Sequence, residues 1–143
     1  MALTFHPGPG TILMCDFSSG FKAPEMVKTR PVIVISPKRK RCSKLCTVVA
    51  ISTAPPISVE NWHYLIPKAS MPQIQRFQVN DSWLKGDMIY RVSFVRLDLI
   101  RIGKDRDTGK RLYFKQRLGR EQMRSVYSCV LHSLNLSHLP PHL

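Results

Sequence analysis

The chain has 143 residues, 43% of them hydrophobic, which suits one domain with its own core and argues against wholesale disorder. It carries 22 Lys and Arg against 9 Asp and Glu, a formal charge of +13. Such an excess draws polyanions, nucleic acid first and an acidic protein second, while saying nothing about fold.

No run approaches the roughly 20 apolar residues of a membrane helix. The start, MALTFHPGPG, has neither the basic nor the apolar region of a signal peptide, so a cytoplasmic protein is expected. In that compartment Cys15, Cys42, Cys46 and Cys129 are expected as thiols. Cys42 and Cys46 have no second close pair of ligands, so no metal and no cofactor are expected.

TILMCDF (11 to 17) reads as a strand, and Gly20 and Pro24 then break a loop. PVIVIS (31 to 36) is a β-branched run of the kind buried on both faces, with Pro31 expected at its first position or at an edge. A basic turn, PKRKRCSK, leads to the strand LCTVVAIST (45 to 53), making a hairpin with a charged tip. VENWHYLIP gives a short strand in which Trp62, Tyr64 and Ile66 alternate, and residues 68 to 81 have no period and are expected as loop. Extended character resumes over 82 to 94. Asp107-Thr108-Gly109 marks a turn between two further strands.

The period then changes. Met123, Val126, Tyr127, Val130, Leu131 and Leu134 recur at helical spacing, and Leu139-Pro140-Pro141 is the expected stop. Many short strands with one terminal amphipathic helix predict a mainly β chain, a small barrel, spanning 1–143 as one domain.

The enzyme signatures that a short motif can carry are missing, and the acidic residues are scattered singly rather than clustered for two-metal chemistry. Metal-free RNA cleavage needs less, because the 2′-hydroxyl of the substrate is the nucleophile. The protein must supply a proton acceptor and donors for the phosphoryl oxygens, and an arginine fork matches the latter. Arg30, loaded against Pro31, either meets such an anion or simply pairs with Glu25.

The run PGTILMCDF, then Glu25 and Lys28-Thr29-Arg30-Pro31-Val32-Ile33-Val34-Ile35-Ser36, then TVVAIST, resembles the PemK/MazF toxins of type II toxin–antitoxin systems. The resemblance implies an SH3-like barrel, a homodimer, endoribonuclease activity on single-stranded RNA, and neutralisation by an acidic antitoxin. It places the catalytic arginine on Arg30, the strand-end hydroxyl on Ser52 with Thr53 beside it, and the glutamate on Glu25. Phe21, Lys22, Lys28 and Thr53 then become candidate RNA contacts. The chain departs from one branch of the family at Pro24, where that branch has histidine, and in lacking its later Arg-x-Asp pair. A gyrase-poisoning toxin and a non-catalytic nucleic-acid-binding barrel remain as alternatives on the same fold.

Overall fold

The computed structural model describes residues 3–39 and 44–139. Most of the basic hairpin tip, with Lys40, Arg41 and Cys42, lies outside the described residues, as do Pro140 and Pro141.

Six strands form one antiparallel sheet: β1 (Ile12–Asp16), β2 (Thr29–Val34), β3 (Leu45–Ser52), β4 (His63–Ile66), β5 (Ser82–Ser93) and β6 (Leu97–Asp98). Their spatial order is β4-β5-β3-β2-β1-β6. A separate hairpin pairs β7 (Arg101–Lys104) with β8 (Arg111–Tyr113). Its turn is the one the sequence marks: Asp105 Oδ1 accepts the amides of Asp107 and Thr108, and Gly109 takes a φ of 70°.

The central strands are β-branched on both sides because both sides are buried. Ile12, Ile33, Val49, Ile51 and Leu84 point to one cluster, closed by Met123, Val126, Cys129 and Val130 of helix α2 (Arg120–Ser133). Leu13, Cys15, Val32, Val34, Cys46, Val48 and Val92 point the other way, onto Phe17 and Phe94. Alternation at period two therefore feeds two cores from one set of strands.

Three expectations change. Pro31 is third in β2, not first; it pairs with Met14, and the β2–β3 ladder starts one residue later, at Val32 opposite Ala50. The missing amide hydrogen thus falls where that ladder has ended. Residues 68 to 81 are not plain loop: a 3-10 turn (Lys68–Ser70) and a short helix, α1 (Gln75–Val79), bring Met71 and Phe77 into full burial. Single apolar anchors in a short segment leave no period to read.

Helix α2 stops well before the prolines. Asn135 takes the left-handed φ of 58°, Leu136 N donates to Leu131 O at 2.8 Å, and Asn135 N donates to His132 O at 3.1 Å. These two bonds close the last turn, leaving Leu134 53% exposed beyond the buried stripe.

At Gly86 the helix and sheet meet most closely. Strand β5 bulges between Leu84, opposite Ile51, and Ile89, opposite Val49. Gly86 N donates to Trp62 O at 2.8 Å, and Ser133 Oγ donates to Gly86 O at 2.9 Å. Cys15, Cys46 and Cys129 are buried thiols rather than disulfides.

Candidate active site

Arg30 is second in β2, opposite Cys15, at the strand end nearest the loop that joins β1 to β2. The β2–β3 register runs from Val34 opposite Val48 to Val32 opposite Ala50. That ladder ends at Val32, so Arg30 and Ser52 each lie two residues beyond its last pair, at the same end of the two strands. Ser52 pairs with Trp83, and Trp83 with Leu65. Directly opposed residues share a face, so Ser52, Trp83 and Leu65 form one row across three strands, at the end of the sheet where β2 carries Arg30.

Arg30 is half-buried, and among the described residues its side chain has no hydrogen bond and no ion pair. It does not pair with Glu25. A guanidinium has five donors in a fixed fork, and leaving all of them to solvent at the rim of a buried cluster suits an incoming anion. Ser52 Oγ accepts the Ala54 amide at 3.1 Å and approaches Ala54 O at 3.4 Å, a local turn at the strand end. Its hydroxyl proton is held only by that longer contact. Thr53 follows, half-buried.

The β1–β2 loop is pinned from below. Phe21 packs edge-on against Phe17 at 5.2 Å and Tyr90 at 5.6 Å between ring centres. The Arg96 guanidinium lies 4.7 Å over the Phe21 ring and donates to Asp16 O at 2.9 Å. With these neighbours Phe21 is an anchor of the loop. Tyr90 Oη accepts the Met26 amide at 3.0 Å, and burial raises the Tyr90 hydroxyl above its ordinary pKa, with Glu25 and Asp87 adding to the rise.

Glu25 is exposed. Its amide donates to Lys22 O at 2.9 Å, and its Oε1 accepts the Lys22 amide at a long 3.4 Å. The Ala23–Pro24 peptide inside this turn is cis. Lys22 and Lys28 are exposed on the same loop. Asp16, opposite Thr29, is the carboxylate next to this end of the sheet; hydrogen bonds from Ser18 hold it below the usual carboxylate range. A weakly basic carboxylate is a poor proton acceptor.

A family model for the PemK-like, MazF-like toxins of type II toxin–antitoxin systems matches residues 8–134. The chain belongs to this family. It is similar to the uncharacterized protein YifN of Escherichia coli (strain K12), 28% identical over 152 residues, which cover 94% of this chain and 96% of that protein. Among solved structures it is similar to an endoribonuclease in complex with its cognate antitoxin from mycobacterial species. The TM-score is 0.58 at 15% identity, covering 94% of this chain and 98% of that one, which is a likeness of fold.

In this PemK/MazF-family chain the structure brings Arg30, Ser52 and the pinned loop to one end of the sheet, with Glu25 exposed on that loop. It adds Tyr90, Arg96 and Trp83, none of which short motifs mark. Trp83 is half-buried, and its Nε1 is buried with no acceptor among the described residues. Tyr90 was reachable only through the β3–β5 register, which a bulge of several residues hides from the sequence. Among the described residues no three His, Cys, Asp or Glu side chains converge as metal ligands, and no helix is long and apolar enough to cross a membrane.

Proposed function

We propose that this protein is a metal-independent endoribonuclease that cleaves single-stranded RNA, acts as a cytoplasmic homodimer, and is neutralised by an acidic antitoxin. The observation that carries the reading is Arg30: a half-buried guanidinium with no protein partner among the described residues, at the end of β2 beside the end of β3 that carries Ser52. Membership of a toxin family and a shared fold with an antitoxin-bound endoribonuclease support it.

In the proposed reaction the 2′-hydroxyl attacks the adjacent phosphorus, and its proton passes to Glu25. The bond from phosphorus to the 5′-oxygen breaks, that oxygen takes a proton from a water molecule, and the hydroxide so formed recovers the proton held by Glu25, leaving a 2′,3′-cyclic phosphate and a 5′-hydroxyl. Arg30 donates to the phosphoryl oxygens as charge builds on them, and Ser52, with Thr53 beside it, adds a hydroxyl donor. Lys22 and Lys28 attract the neighbouring phosphates from the loop. Phe21 keeps that loop in place.

The test is cleavage of RNA in the presence of EDTA. Discrete fragments ending in cyclic phosphate, with no cutting at a single 2′-deoxy substitution, are expected. Tight RNA binding without fragments under any divalent-ion condition would overturn the enzymatic reading.

A further inference from the structure

A second site lies at the other end of β1. Thr11 stands four residues before Cys15, the partner of Arg30, which is about 13 Å along an extended strand. There a cavity of about 410 Å³ is lined by Phe5, Thr11, Lys38, Phe114, Lys115 and Arg117 together with Gly8. Three of these are cations and none is acidic.

The backbone carrying Lys115 and Arg117 is fixed. Thr11 bridges Arg117 in antiparallel fashion, Leu118 N donates to Gly10 O at 3.0 Å, and Phe114 N donates to Ile100 O at 2.8 Å. Thr11 Oγ1 donates to Gly8 O at 2.6 Å, setting the turn opposite. Gly8 has no side chain where two cations converge. A Cβ there would fall inside contact distance of Arg117 Nη1 and 3.5 Å from Lys38 Cε. Among the described residues Lys38, Lys115 and Arg117 form no ion pair. Like charges drawn together without a counter-charge repel, and a bound anion relieves the repulsion.

The walls narrow the class of anion. Phe114 is nearly buried at the floor, while Phe5 is 47% exposed at the rim. A small inorganic ion would leave that aromatic surface unused, and the volume is that of a small-molecule pocket. We propose that this cleft binds a nucleotide, its phosphate on Lys38, Lys115 and Arg117 and its base against Phe5. The nucleotide is either free or one unit of an RNA chain. This site is independent of the cleavage reading, since none of its residues belongs to the Arg30 end of the sheet.

The experiment is calorimetric titration of the full chain with AMP, a ribotrinucleotide and inorganic phosphate, in wild type and in Arg30→Ala. AMP is expected to bind both proteins equally and more tightly than inorganic phosphate. In Arg30→Ala, a trinucleotide binding more tightly than AMP identifies RNA as the source, and equal affinities identify a free nucleotide. The double variant Lys115→Gln/Arg117→Gln is expected to lose about tenfold or more in AMP affinity, as loss of charge-assisted hydrogen bonds does. Gly8→Ala keeps the charge of +13 but displaces the Arg117 guanidinium, and is expected to weaken AMP binding several-fold. AMP affinity unchanged in the double variant, AMP binding lost with Arg30→Ala, or a glutamate-rich peptide binding more tightly than AMP would each overturn the proposal.

Discussion

Tyr90 Oη accepts the amide hydrogen of Met26 at 3.0 Å, tying the middle of β5 to the loop residue that follows Glu25. The two residues are far apart in sequence, and their bond sets how the loop sits over the cluster of Phe17, Phe21 and Tyr90. Replacing Tyr90 by Phe keeps the rings and removes one acceptor. Stability should fall by about 1 kcal/mol, the usual net worth of such a bond. RNA cleavage should fall further than that loss of folded protein accounts for, because the loop carrying Glu25 is loosened. Urea midpoints and cleavage rates on the same preparation decide the matter, and equal cleavage by Tyr90→Phe would separate the loop's position from activity.

Arg30→Lys retains charge but loses the planar fork. The expected result is a drop in cleavage of about 100-fold or more, the scale of losing one donor to a developing oxyanion. The unfolding midpoint should barely move, since Arg30 has no partner among the described residues that would be left unpaired. Wild-type cleavage by this variant would show that the phosphate is held elsewhere.

Gly86→Ala tests the contact between helix and sheet. The added carbon would lie 2.5 Å from Trp62 O and 2.9 Å from the Cys129 backbone, with no flexible side-chain end to yield. A loss of roughly 1–3 kcal/mol is expected, as for overpacking of a tight interior. Equilibrium unfolding followed by tryptophan fluorescence reads it directly. A change under a few tenths would mean that β4 and α2 separate more easily than their contacts suggest.

Stability should decline in alkali. Burial pushes the Cys15 thiol up from 9.0 to about 12, and burial also raises Cys129, Tyr90 and Tyr127. A raised pKa means that the folded state holds the proton more tightly than the unfolded chain. The stabilisation is therefore complete below about pH 9 and is lost as pH climbs towards 12, where the unfolded chain has already released its proton. Thermal melts across this range should show a falling midpoint, and Cys15→Ala should give a shallower decline than wild type.

Strand β2 and helix α2 were legible because their patterns are unmixed and long enough to read. PVIVIS announced burial on both faces, and Met123, Val126 and Val130 announced the stripe that covers one of them. The turn at Gly109 was legible for a similar local reason, a backbone angle that few residues take. By contrast Met71 and Phe77 are lone anchors in a segment without period, and Cys129 joined the helix stripe only because Gly86 lets the sheet approach it.

The sequence by itself determined the charge, the β-branched strands, the amphipathic helix and the local motif that places Arg30 against Pro31. Those properties depend on residues close together in the chain. Only the tertiary structure decided that Ser52 falls in register with Trp83 at the sheet end that carries Arg30, that Tyr90 and Arg96 hold the loop, and that Lys38 and Arg117 converge over Gly8. Register across strands depends on bulges and turns whose effect is felt many residues away, and no local pattern encodes it.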